Sequence, residues 1–184
     1  MPTTVPSAAD WAAFAGAPAA SARLIAPDTG ERVRAFGNEV LFKLATGETH
    51  GMFSLGLSFV SASDSAVPLH VHDNEDEMFI IVEGTYRVFM DGAWSDCGPG
   101  SVVYFPRGVM HTFYLIGGHD GKHWVLTTSN AFRDYFTRAA EMFAAGGAPD
   151  RARLAALGAQ YGMRLVGPDG AGATVPAARH TVAV

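Results

Sequence analysis

From Arg32 to Thr128 the chain runs as short segments of five to nine residues, alternating or continuously apolar, each closed by a turn signal. That cadence excludes helical and α/β folds and leaves an all-β sandwich or barrel. Met52–Val60 alternates with Phe53, Leu55, Leu57 and Phe59 on one face. Glu77–Val82 and Tyr86–Met90 flank a tight Glu83-Gly84 connection, and Asp91-Gly92 is a strong hairpin signal leading to Trp94–Cys97. Gly98-Pro99-Gly100 and Pro106-Arg107-Gly108 bracket the β-branched Val102–Phe105, and Thr112–Ile116 and His123–Thr128 complete the set.

The flanks read differently. Residues 1–31 form an N-terminal arm, Ala- and Pro-rich at first, with a short helix expected over Ala8–Phe14. Residues 32–128 are the barrel, 129–166 C-terminal helices, and 167–184 a Gly/Ala/Pro-rich flexible tail in which His180 is no ligand. Asn130 can cap a helix over Phe132–Phe143 that carries Phe132, Tyr135, Phe136 and Phe143 near one stripe. Gly146-Gly147 breaks it, Pro149 and Asp150 open a second helix over Arg151–Tyr161, and Gly162 ends that one. The aromatic stripe is expected to pack on the barrel's outer face, with a lid over the barrel mouth as the alternative.

A length of 184 residues gives room for one domain with a proper core. The net charge of −5 and the scattered Lys and Arg supply no basic stripe, so no nucleic-acid partner is expected. Apolar runs such as Met78–Val82 are far too short for a bilayer span, and Met1–Asp10 lacks the charge-then-apolar pattern of a signal peptide. A soluble, cytoplasmic protein is expected. Cys97 is the sole cysteine, so no intrachain disulfide forms, and a half-buried thiol is a better reading than a nucleophile.

The chemistry concentrates in Pro68-Leu69-His70-Val71-His72-Asp73-Asn74-Glu75-Asp76-Glu77. Residues two apart on a strand share a face, so His70 and His72 aim into one space. Asp73–Asp76 reads as a turn, after which Glu77 opens a strand lying beside the first and faces the same space. His111 follows Pro106-Arg107-Gly108 and alternates inward with Phe113 and Leu115. Three imidazoles and a carboxylate in an apolar barrel suit one divalent transition metal with positions left open. A lone inward histidine is more often a core residue than a ligand, but a buried carboxylate costs several kcal/mol unless paired or metal-bound. His50, His119 and His123 are not expected to be ligands, and His119 and His123, flanking the hairpin turn Asp120-Gly121-Lys122, are expected to be solvated.

These residues resemble the cupin superfamily. Its first motif, His-x-His, three or four residues, Glu, six residues, Gly, is similar to His70, His72, Glu77 and Gly84 here. Its second, Gly, five residues, Pro, one, Gly, two, His, is similar to Gly100, Pro106, Gly108 and His111. Asp64 stands where a Gly opens the first motif, and Leu115 where an Asn is frequent. The resemblance implies an all-β cupin double-stranded β-barrel, jelly-roll-like, with the short C-terminal helices appended, and a homodimer. The single barrel and the tract from Phe132 to Met163 look like the quercetin 2,3-dioxygenase group. That likeness implies an oxidoreductase, a flavonol-type dioxygenase using molecular oxygen on an aromatic or enolic small molecule. The superfamily also holds polyketide cyclases, isomerases and binding modules, which stand as alternatives.

Strand alternation places Phe53, Leu55, Phe59, Phe79, Ile81, Phe113 and Leu115 along the substrate pocket, a wall suited to a flat aromatic molecule. No Arg lies within the motif strands, which disfavours sugar phosphates. In a flavonol-type reaction Glu77 is the catalytic base that takes the enolic proton. Ni, Fe, Mn, Co, Cu or Zn would each satisfy the ligand set.

Overall fold

The computed structural model describes residues 22–63, 67–144 and 150–167. The expected helix at Ala8–Phe14, Asp64, and the tail with His180 lie outside the described residues. The strands are β1 (Glu31–Ala35), β2 (Asn38–Leu44), β3 (Ser54–Val60), β4 (His70–His72), β5 (Glu77–Glu83), β6 (Thr85–Met90), β7 (Ala93–Cys97), β8 (Val102–Phe105), β9 (Met110–Ile116) and β10 (Gly121–Thr127). Two helices, α1 (Ala131–Ala144) and α2 (Arg151–Gln160), and a last strand β11 (Met163–Leu165) follow.

One sheet runs β1-β2-β3-β10-β5-β8 and the other β11-β4-β9-β6-β7, with antiparallel pairing. The two facing sheets form an antiparallel β-barrel with short helices appended, the architecture the resemblance implies. Between β3 and β10 the chain changes sheet after β3, β4, β5, β7, β8 and β9. Glu83-Gly84 is therefore a crossing between sheets and not a hairpin. Gly84 has φ +85°, and a Cβ there would lie 2.9 Å from Gly121 Cα, so the crossing needs a residue without a side chain. Asp91-Gly92 is the expected hairpin, both residues at positive φ (52° and 78°) and Met90 paired with Ala93. A second hairpin joins β1 to β2 through Phe36-Gly37 (φ 54° and 72°).

The core fills the space between the sheets. Phe79 meets Phe105 and Phe113 edge-on at 5.2 and 5.3 Å, with Tyr86, Val88 and Ile81 buried nearby. Each such side chain contributes about 1.5–3 kcal/mol by leaving water. On β3 the buried positions are Ser54, Gly56, Ser58 and Val60, while Phe53, Leu55, Leu57 and Phe59 are half-buried on the outer side. The strand thus turns its small residues inward. At Gly56 the barrel has no room, since a Cβ would sit 2.7 Å from Val40 Cγ1. The outer Phe59 ring instead packs under the Arg32 and Lys122 cations, each 5.7 Å from its centroid.

Helix α1 starts where expected, but with different capping. Asn130 O accepts the Asp134 N–H at 2.9 Å, while the Asn130 side chain turns away to accept from Thr46 N. The hydroxyl that accepts from Ala131 N belongs to Ser129. For α2, Asp150 is the side-chain cap, accepting from Ala152 N at 3.0 Å. Among the described residues no helix is long and apolar enough to cross a membrane.

Candidate metal centre and cavity

His70 and His72 point the same way because they alternate with Val71 on β4, and β9 lies antiparallel alongside with His111 opposite His70. Glu77 does not come from a neighbouring strand. It opens β5 in the facing sheet, opposite Phe105 and Thr127, and reaches across the barrel. The turn Asp73–Asp76 is the crossing that makes this possible. Met163 and Leu165 of β11 pair outside His72 and His70, so the C-terminal strand backs the histidine pair. All four side chains are buried, and their ligand atoms lie within 4.8 Å of one another.

Each imidazole is fixed through Nδ1. His70 Nδ1–H donates to Pro68 O at 2.7 Å, His111 Nδ1–H to Val109 O at 3.0 Å, and His72 Nδ1–H to Glu75 Oε1 at 2.9 Å. That leaves the Nε2 atoms for the shared space. His111 Nε2 lies 3.0 Å and His72 Nε2 3.7 Å from Glu77 Oε2. His72 Nε2 is buried with no hydrogen-bond partner. An orphaned nitrogen beside a buried carboxylate is the arrangement a cation satisfies. The four residues could hold a metal ion.

The electrostatics agree. Burial, then the neighbouring His111 and His72, hold His70 well below the ordinary imidazole value, which keeps it a neutral donor. Burial also opposes protonation of His72, but Glu77 and Glu75 outweigh it and raise the ring's pKa. Burial pushes Glu77 up, and His72, His111 and His70 together pull it down to about 2. The proton that Glu77 and Glu75 draw toward His72 is the positive charge a bound cation would replace.

Glu75, read from sequence only as part of a turn, is 1% exposed and orients His72. Ser129 Oγ in turn donates to Glu75 Oε2 at 2.6 Å. The sequence carried a signal, since an acidic residue three past a ligand histidine can turn back onto it. The other acids of that turn face outward: Asp73 accepts two hydrogen bonds from Arg164, and Asp76 accepts from Arg107. Phe105 stacks on the His111 ring at 4.1 Å and 13°.

Beside these groups lies a partly open cavity lined by both His70 and Glu77. Phe79 and Phe113 line it. Phe53, Leu55 and Phe59 do not, because they sit on the outer side of β3, and Ile81 and Leu115 are buried in the core without reaching it. The remaining wall comes from α1, with Phe132, Tyr135 and Phe136, and from Met163 and Leu165 of β11. The aromatic stripe of α1 therefore covers the cavity rather than only the barrel's outer surface. His123 also corrects the sequence reading. It lies on β10, not in a turn, is 2% exposed and lines the cavity. Its Nδ1 is 3.1 Å from Tyr86 Oη, and burial pulls its pKa down to about 4. Among the described residues no lysine or arginine lines the cavity. Cys97 is half-buried, and burial raises its thiol pKa, which suits a packing role.

Residues 59–126 match the Cupin_2 family model, described as a cupin domain. No curated protein matches the sequence. Among solved structures, a predicted oxalate decarboxylase from Thermotoga maritima is similar with TM-score 0.51 at 19% identity, over 59% of this chain and 99% of that one. The polyketide cyclase RemF from Streptomyces resistomycificus is similar with TM-score 0.50 at 21% identity, over 58% and 79%. The family match covers the central part of the chain, and the likeness to the solved structures is one of fold.

Proposed function

We propose, from a cupin barrel enclosing one buried His/Glu cluster, that this chain is a metal-dependent dioxygenase of the quercetin 2,3-dioxygenase type, acting on an aromatic or enolic small molecule. The observation that carries the reading is the adjacency of the cluster to a cavity walled by Phe79, Phe113, Phe132 and Phe136 without a cationic side chain among the described residues. Such a wall favours a flat apolar ligand over a phosphate or sugar acid. A divalent cation, when bound, would supply Lewis acidity at an enolic oxygen. His70, His72 and His111 would hold it through Nε2. Glu77 is ionised above pH 2 or so and is the carboxylate that lines the cavity, so it accepts the enolic proton. The aromatic side chains of α1 keep water from the reacting face.

The test is elemental analysis of the purified protein followed by an oxygen electrode with flavonols and enolic diketones. Oxygen uptake dependent on the metal and on a flavonol is expected. A second reading, a non-redox cyclase or isomerase, draws on His123, a buried neutral imidazole lining the same cavity and available for proton transfer. A zinc-loaded protein that converts an enolic diketone without oxygen uptake would favour it. A homodimer is the matching assembly. It would cover Ile80, Val102 and Tyr104, exposed apolar side chains on the outer side of β5 and the edge strand β8. Sedimentation equilibrium tests it.

A further inference from the structure

Among the described residues, two buried side-chain polar atoms besides His72 Nε2 have no partner, and both belong to residues lining the cavity: Asn38 Oδ1 and Tyr135 Oη. Asn38 is 5% and Tyr135 3% exposed. Buried polar groups are nearly always satisfied, so two orphans around one cavity mark a place where a ligand supplies the bonds.

Strand register places them. Glu77 lies opposite Thr127, and Thr127 opposite Ser54. The next inward step is Phe79, Val125 and Gly56, and the next Ile81, His123 and Ser58, with Val40 beyond. Asn38 lies one step further, opposite Val60, which pairs with Gly121. Asn38 is thus three steps along the barrel from the metal-ligating carboxylate. Tyr135 belongs to the same end, since its ring stacks on Phe36 at 5.9 Å and 24°, two residues before Asn38. The lining between the two ends includes Phe79, Phe113 and Val125.

We propose that Asn38 and Tyr135 form a remote anchor for a hydroxyl group at the far end of an elongated, largely apolar ligand whose near end meets the metal centre. A ligand hydroxyl would accept from Tyr135 Oη–H and donate to Asn38 Oδ1. The phenol stays protonated, because burial raises it to about 12, and so it is a donor. The inference deepens the aromatic-substrate reading and rests on it for the choice of probe.

The experiment uses the metal-loaded full chain and the parent flavonol bearing only its chelating hydroxyl–carbonyl pair, together with its analogues carrying one further hydroxyl on either ring. Calorimetric titration compares the parent protein with Tyr135→Phe and Asn38→Leu. One hydroxylated analogue should bind about tenfold tighter than the unsubstituted flavonol, and each substitution should remove most of that gain while changing the unsubstituted flavonol's affinity much less. Equal losses for both ligands, or no loss, overturn the anchor. Melting of the ligand-free proteins is the second measurement. An unpartnered hydroxyl predicts that Tyr135→Phe leaves the Tm unchanged or raises it, and a fall beyond about 3 °C means the hydroxyl already has a partner, which overturns the proposal. If no flavonol binds, the aromatic-substrate reading fails, and the melting comparison decides the anchor by itself.

Discussion

Glu75 Oε1 accepts the Nδ1 proton of His72 at 2.9 Å, and both side chains are almost fully buried. Ser129 Oγ donates to the other oxygen of Glu75 and accepts from Ala131 N at the start of α1. One continuous hydrogen-bonded path therefore joins a ring of the candidate metal centre to the helix that walls the cavity. The path fixes the His72 tautomer and aims Nε2 at the shared space.

Glu75→Ala should lower metal affinity about ten- to hundredfold, because the freed ring can rotate and loses basicity. Glu75→Gln should fall between, since its amide oxygen can still accept from Nδ1–H. Competition against a fluorescent chelator measures both. Parent-like affinity in the alanine variant would mean that packing alone orients the ring.

Glu77→Ala should retain partial metal occupancy through the three histidines and lose turnover of a flavonol by about a hundredfold or more. Occupancy is read by elemental analysis and turnover by oxygen uptake, on the same preparation. Turnover at the parent rate would remove Glu77 from the role of base.

His123 predicts a pH dependence. Its folded pKa is about 4 against an ordinary 6.5, so between those values the unfolded chain binds a proton that the folded chain does not. The contribution is complete above pH 6.5 and is lost as pH falls toward 4, by about 3 kcal/mol. Urea denaturation of chelator-treated protein at about pH 7 and about pH 4 measures it. His123→Leu should lose less stability over that interval than the parent does. Parallel losses would show that other groups dominate the acid response.

How far the sequence was legible depended on which faces of each element are covered. The spacing of His70, His72, Glu77 and His111 was readable because two-residue alternation is a local property, and the structure brings those side chains within 4.8 Å. That Glu77 arrives from the opposite sheet was not readable, since a four-residue connection serves a hairpin and a sheet crossing equally well. The wall on β3 was misjudged for a related reason. Alternation identifies two faces but not which one is inward, and the larger side chains of Phe53–Phe59 point outward. His123 looked like a turn residue because Asp120-Gly121 reads as a turn, whereas Gly121 already pairs with Val60. Strand β11 is three residues long, too short to carry a periodicity, yet it backs His70 and His72.

The inward face of β3 can be tested directly. Gly56 lies opposite Val125 and Phe42, and a Cβ on it would meet Val40 Cγ1 at 2.7 Å, Val125 Cγ1 at 3.3 Å and Phe42 Cδ1 at 3.4 Å. These neighbours are buried, so a branched side chain can be accommodated only by moving them. Gly56→Val should cost about 1–3 kcal/mol, a Tm lower by about 3–10 °C, despite valine's preference for strands. Leu57→Val, one residue along on the half-buried outer side, should cost less, because a methylene is removed where the side chain borders solvent. If the strand faced the other way, valine at Gly56 would point outward and raise the Tm through its strand preference. The order of the two melting temperatures therefore reports which face of β3 closes the barrel.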